Sequence, residues 1–154
     1  RFPEDVSVHL RQFPQTPASW EDDFAGEEMA RLREARAVVT GALEVARRDK
    51  LIGAALEAAP VVYVTDDGLR ASLQAVDFAE LCITSGMRIE AGEGPADAFR
   101  LPEAPGVAVV VEQAGGVKCA RSWKYFDPAT AHPRYPDITA RDAEAVMEWD
   151  RAHK

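Results

Sequence analysis

Residues 27–50 carry an apolar stripe at helical spacing, and a helix of that length must find a partner for one broad face. Met29, Leu32, Val39, Leu43 and Ala46 recur at intervals of three, four and seven, and Ala35, Val38 and Ala42 widen the stripe. Gly41 sits in the middle, where glycine costs about 1 kcal/mol relative to alanine. At 100° per residue, Arg33, Arg36 and Arg47 project near one another beside the stripe, with Thr40 and Glu44 among them.

The partner expected is a small mixed α/β unit, or the N-terminal segment itself. VVYV at 61–64 is a compact strand signal, ended by TDDG, and VAVVVE at 107–112 is the strongest strand in the chain. Residues 54–59 predict a short helix stopped before Pro60. Leu69, Leu73, Val76 and Phe78 predict a second helix over 69–81, and Cys82, Ile83, Met87 and Ile89 a strand directly after it. Glycines and prolines make 92–106 a loop. Gly115 and Gly116 predict a turn that brings 117–126, VKCARSWKYF, back as the hairpin partner of VAVVVE. A proline-containing loop over 127–138 leads to a last helix over 140–149, with Ala143, Val146 and Met147 on one side.

The expected class is therefore α+β: a long N-terminal helix on a small mixed α/β unit, then a β-hairpin and a terminal helix. Three segments are expected, 1–50, 51–106 and 107–154. Pro3, Pro14 and Pro17 argue against one helix over 1–24. Phe2, Val8, Leu10, Phe13, Trp20 and Phe24 predict that this stretch is ordered and pinned by its large apolar side chains.

Charge limits the partners. A net charge of −8 argues against a general nucleic-acid binder. The charge is uneven, however. Residues 31–50 hold six bases against three acids, and 118–154 seven against six, while 51–117 hold three against ten. Two regions can thus still meet a phosphate backbone, or the surface is simply mixed. No apolar run approaches the roughly 20 residues of a membrane span, and RFPEDVSVHL is no secretory signal. Cys82 and Cys119 make no disulfide framework, so a reducing compartment is expected. The first residue is Arg1 rather than Met, as expected of a piece of something longer.

Catalytic signatures are absent. No glycine-rich phosphate loop or Gly-x-Ser-x-Gly elbow occurs, and the neighbours of His9, His132 and His153 suggest no triad. Glu57, Asp66 and Asp67 read as caps or solvent groups rather than acid–base machinery. Cys119 invites a metal, but Ser122 stands at the second knuckle position and no cysteine follows. Thr139-Ala140-Arg141-Asp142 has the form of a capping box, Thr139 accepting the amide of Asp142 and Asp142 reaching back to the amide of Thr139. A cap contributes about 1 kcal/mol, against about 10 or more for a structural zinc. Packing must therefore hold the unit, and Trp123, Tyr125, Phe126, Tyr135 and Trp149 are available, with Trp123 expected to be buried. The same aromatics could instead stack bases.

The chain resembles the C-terminal region of bacterial isoleucyl-tRNA synthetases. SVHLRQFP at 7–14 is similar to the exit of that family's anticodon-binding helices. Leu32-Arg33 through Arg36, Gly41 to Arg47, Lys50 to Gly53 and Leu56 to Ala58 are similar to its most specific run. Val107 to Val111, KCARSWK at 118–124 and His132-Pro133 to Asp137 resemble its terminal zinc unit. Matched residue by residue, that unit's four cysteines fall at Cys119, Ser122, Thr139 and Asp142. One of four is kept, so zinc is not expected here. The departure agrees with a cap in place of the metal.

The resemblance implies a parent enzyme that joins isoleucine to its tRNA using ATP and magnesium, in the cytoplasm. This piece lacks the parent's nucleotide-binding and editing parts, so it should be non-catalytic and should hold the anticodon arm of tRNA(Ile). The RNA contacts expected first are Lys118, Arg121, Trp123 and Lys124, then Arg33, Arg36, Arg47 and Arg48 on the long helix. Against the helix set stands ion pairing within the protein, for example Arg48 to Glu44. The rival reading is a docking module whose acidic stretch over 66–112 faces another domain of the same parent. A monomer without membrane contact is expected in either case.

Overall fold

A computed structural model describes residues 7–153. The first helix, α1 (Asp23–Arg48), begins at Asp22, whose carboxylate accepts the amide of Ala25 at 2.9 Å. This cap starts α1 before its apolar stripe does: Met29 is exposed, and burial runs from Leu32 through Ala35, Val38, Val39, Ala42 and Leu43 to Ala46. Gly41 has a packing reason, because a Cβ there would lie 2.8 Å from the Phe99 ring. The helix ends in a Schellman turn. The amide of Leu51 reaches Ala46 O at 2.9 Å and that of Lys50 reaches Arg47 O at 3.1 Å, with Lys50 left-handed at φ 62°.

The buried face of α1 lies on a three-stranded sheet ordered β2-β1-β3. The central strand β1 (Val61–Val64) runs parallel to β2 (Arg88–Ala91), with Val62 opposite Ile89, and antiparallel to β3 (Val107–Val110), with Val62 opposite Val109. A parallel pair needs a crossover, and helices α2 (Asp67–Gln74) and α3 (Phe78–Cys82) supply it. The single helix expected over 69–81 is therefore two. Asp66 caps α2 through the amide of Leu69, and Asp77 caps α3 through the amide of Glu80 at 3.0 Å, which breaks the run. The strand expected from Cys82 starts at Arg88 instead. Cys82 is the buried end of α3, and Ile83 follows it in the left-handed region at φ 58°. The expected helix over 54–59 is a single 3-10 turn, Ala55–Glu57.

The expected hairpin also changes partner. β3 pairs with β1, and VKCARSWKYF folds on itself as β4 (Val117–Lys118) against β5 (Tyr125–Phe126). Gly116 is needed for close approach: at φ 91°, a Cβ there would come within 2.1 Å of the Phe126 carbonyl oxygen. Gly116 thus seats β5, and the glycine pair does not turn β3 back on itself. A second, smaller core follows, made of Cys119, Ile138 and Ala143 with Phe126, Tyr135 and Val146 against it and α4 (Ala140–Ala152) as its wall.

Two expectations about aromatic side chains need correction. Trp123 is 63% exposed and Trp149 61% exposed, the latter stacked on His153 at 4.2 Å, so only Phe126 and Tyr135 pack in the small core as expected. Nor do large apolar side chains pin the N-terminal segment: Leu10, Phe13, Trp20 and Phe24 are all exposed. Phe2 and Pro3 lie outside the described residues, as does the Val8 side chain. The fold is mixed α+β, with one large apolar core and one small polar-tied core.

Candidate nucleic-acid interface

The turn between β4 and β5 is a six-residue knuckle. Its backbone is fixed by Cys119 N donating to Lys124 O at 2.7 Å and Trp123 N donating to Cys119 O at 3.1 Å. Ser122 N points at Cys119 Sγ at 3.4 Å, and Trp123 takes a left-handed φ of 65°. That strained residue closes the knuckle and turns its indole outward. Lys118 Nζ lies 5.4 Å from the indole centroid, a cation–π contact that presents charge and a flat ring together.

Beneath the knuckle, the four positions Cys119, Ser122, Thr139 and Asp142 do come together. Asp142 Oδ2 accepts from Ser122 Oγ at 2.6 Å, Thr139 Oγ1 at 2.8 Å and Cys119 Sγ at 3.2 Å. Half of the expected capping box stands, since Asp142 N donates to Thr139 Oγ1 at 3.1 Å. The other half does not form as expected. The Asp142 carboxylate turns to the three side-chain donors rather than back to the Thr139 amide. Arg121 Nε lies 3.5 Å from the outer oxygen, Asp142 Oδ1. Burial raises the pKa of Asp142, but the bonds from Ser122, Thr139 and Cys119 and the charge of Arg121 outweigh it and hold the carboxyl below the usual range.

These residues do not suit a structural zinc. Zinc requires lone pairs from thiolate or imidazole aimed at one point, and here two neutral hydroxyls and one thiol aim their protons at a carboxylate oxygen. Among the described residues no group of three or more His, Cys, Asp and Glu side chains is placed to hold a metal ion.

The cations expected to meet RNA are differently placed. Lys118 lies against the exposed Trp123 ring, while Arg121, also exposed, reaches toward Asp142 Oδ1. Lys124 turns inward to Glu80 of α3, at 2.5 Å, and ties the small core to the large one. On α1, Arg36 Nε donates to Leu81 O at 2.6 Å, which brings this arginine to the same end of α3. Arg33 folds back on Met29 O at 3.1 Å. Arg47 pairs with Glu44, and Arg48 with Asp49 at 3.1 Å, so the pair expected between Arg48 and Glu44 forms through Arg47 instead. Arg36 and Arg47 are eleven positions apart, about 16 Å along a helix axis. The helix arginines are thus not one cluster.

Sequence reasoning missed Arg141, which shares Glu80 with Lys124 at 2.8 Å, and Arg134, which lies 5.4 Å from the Tyr135 ring centroid. No local signal reveals the first, because Glu80 is 61 residues away from it. Cys82, beside Arg36, has its thiol pushed up to about 12 by burial, and the arginine charge offsets this only in part. Glu57, Asp66 and Asp67 act as expected: Glu57 accepts the Gly53 amide at 2.7 Å, Asp66 caps α2 and Asp67 pairs with Arg70. Among the described residues, no helix is long and apolar enough to cross a membrane.

No protein-family model matches the chain. Individual relatives do. The isoleucine–tRNA ligase of Brucella abortus biovar 1 (strain 9-941) is 52% identical over 148 residues, which is 96% of this chain and 15% of the relative. That of Agrobacterium fabrum (strain C58) is 52% identical over 148 residues, with the same coverage. That of Bradyrhizobium diazoefficiens is 50% identical over 145 residues, 94% of this chain and 14% of the relative. The chain spans about 15% of the length of these curated relatives. Its similarity, over nearly every residue, identifies it as homologous to a segment of bacterial isoleucine–tRNA ligases.

Proposed function

We propose that this chain is the non-catalytic, anticodon-arm-contacting part of a bacterial isoleucine–tRNA ligase, a cytoplasmic enzyme that charges tRNA(Ile) with isoleucine using ATP and magnesium. The observation that carries this reading is the exposed Lys118–Trp123 pair beside Arg121, on a chain half identical to a segment of those ligases. A cation stacked on an indole suits unstacked nucleotides, since the ring takes a base face and the cations take phosphates. Arg33, Arg36, Arg47 and Arg48 form a second tier of contacts along α1. Lys124 contributes through its pairing with Glu80, which braces the knuckle.

Charge reversal tests the reading. In the parent ligase, Lys118→Glu and Arg121→Glu should each weaken tRNA(Ile) binding and reduce the salt dependence of log K by about one unit of slope. Filter binding from 50 to 300 mM salt measures this. Unchanged slopes in both variants would remove RNA contact from the knuckle.

A second reading has its own support. The exposed Leu10, Phe13, Trp20 and Phe24, together with the acidic stretch over 66–112, suit a docking role toward another domain of the same ligase. In that case Trp20→Ser and Phe24→Ser would impair charging by the parent without altering the salt slope.

A further inference from the structure

Resemblance to the synthetase family places a metal ion where this chain gathers Cys119, Ser122, Thr139 and Asp142, yet the donors present do not suit one. We propose that the Asp142 carboxylate takes the ion's structural place, joining the β4–β5 knuckle to the start of α4 through an anionic hydrogen-bond hub that holds without metal. The hub inverts the polarity of a zinc site. A zinc centre is a cation ringed by lone pairs; this centre is a carboxylate oxygen ringed by three protons, from Ser122 Oγ at 2.6 Å, Thr139 Oγ1 at 2.8 Å and Cys119 Sγ at 3.2 Å. The donors come from the two elements a metal would have to bridge, the knuckle and the N-cap of α4.

The remaining valences are satisfied as well. Thr139 Oγ1 still accepts the Asp142 amide, Cys119 Sγ faces the Ser122 amide at 3.4 Å, and Arg121 sits 3.5 Å from Asp142 Oδ1. The only formal charge at the centre is therefore countered on its outer side. A divalent ion entering here would displace three proton donors and gain one carboxylate and one buried thiol. The inference does not depend on RNA contact.

Three measurements test it. The purified protein, exposed to zinc and then dialysed, should retain no zinc, and its melting temperature should not move with chelator. One equivalent of retained zinc would overturn the proposal. Asp142→Ala should speed amide exchange at Cys119, Trp123 and Ala143 by about ten- to a hundredfold, as expected for losing hydrogen bonds to a charged acceptor, while β1 and β3 amides keep their protection. Unchanged exchange at those three amides would equally overturn it. Should that variant fail to fold, Ser122→Ala removes one donor only and should give a several-fold acceleration at the same amides. Finally, the combined variant Ser122→Cys, Thr139→Cys and Asp142→Cys should gain one bound zinc. No gain would mean that the four positions do not meet at one point.

Discussion

The two cores of this protein are held by different physics. Under α1 and the three-stranded sheet, Val38, Val39, Val62, Val64, Leu73, Phe78 and Val109 are fully or almost fully buried, and apolar area removed from water supplies the stabilisation. Under the knuckle, among the described residues, Cys119, Ile138 and Ala143 alone are buried, and a shared carboxylate oxygen does what area cannot. So small a unit rarely stands on apolar burial alone. It uses a polar centre, and it leans on the large core through Lys124 and Arg141 on Glu80 and through the Tyr125 amide on Ser85 Oγ at 2.7 Å. On this contrast the large core is expected to unfold as a unit, and the small one to loosen while the other stands.

The largest test of that contrast is Phe78→Ala. Phe78 is 2% exposed in the large core, and its truncation should cost about 3–5 kcal/mol, shifting urea unfolding followed by far-ultraviolet circular dichroism for the entire chain. Loss confined to the sheet, with the knuckle still protected, would break the hierarchy. Acid provides a smaller and more local test. The native pKa of Asp142 is lowered, so the unfolded chain takes up the proton first as pH falls. The stability this residue contributes is whole above the ordinary carboxylate value, near 4, and drains as pH falls through the lower native value. Protection factors at residues 119–124, followed from pH 6 downward, should fall ahead of those in β1, and Asp142→Asn should abolish the difference. The smallest expected change concerns the large core alone. Lys50 holds a left-handed φ of 62° at the end of α1, so Lys50→Gly should stabilise the protein by about 0.5–1 kcal/mol in thermal unfolding, with the knuckle amides unaffected.

How far each region was legible follows the same division. The stripe from Leu32 to Ala46 and the strands at 61–64 and 107–110 could be read because burial imposes a period on the sequence. The break between α2 and α3 was missed because Asp77 looked like a polar helix residue, when it is a cap. Gly115-Gly116 carries the signature of a turn, but what requires glycine at 116 is the Phe126 carbonyl ten residues on. Trp123 was expected inside because large aromatics usually are, but its left-handed backbone turns the indole out. At the site, the four positions could be named from resemblance, though their chemistry could not: nothing local says that Asp142 would accept from side chains rather than from a backbone amide.

The sequence by itself determined the class of fold, the long helix and its buried face, and the strands at 61–64 and 107–110. Each of these depends on residue type and local period. Tertiary structure alone decided which strand β3 joins, that Lys124 and Arg141 meet on Glu80, and that one oxygen of Asp142 collects three donors from two elements. Apart from the Thr139 donor, three positions from Asp142, those outcomes are set by distances between residues 20 to 61 positions apart, and no periodicity along the chain encodes such a distance.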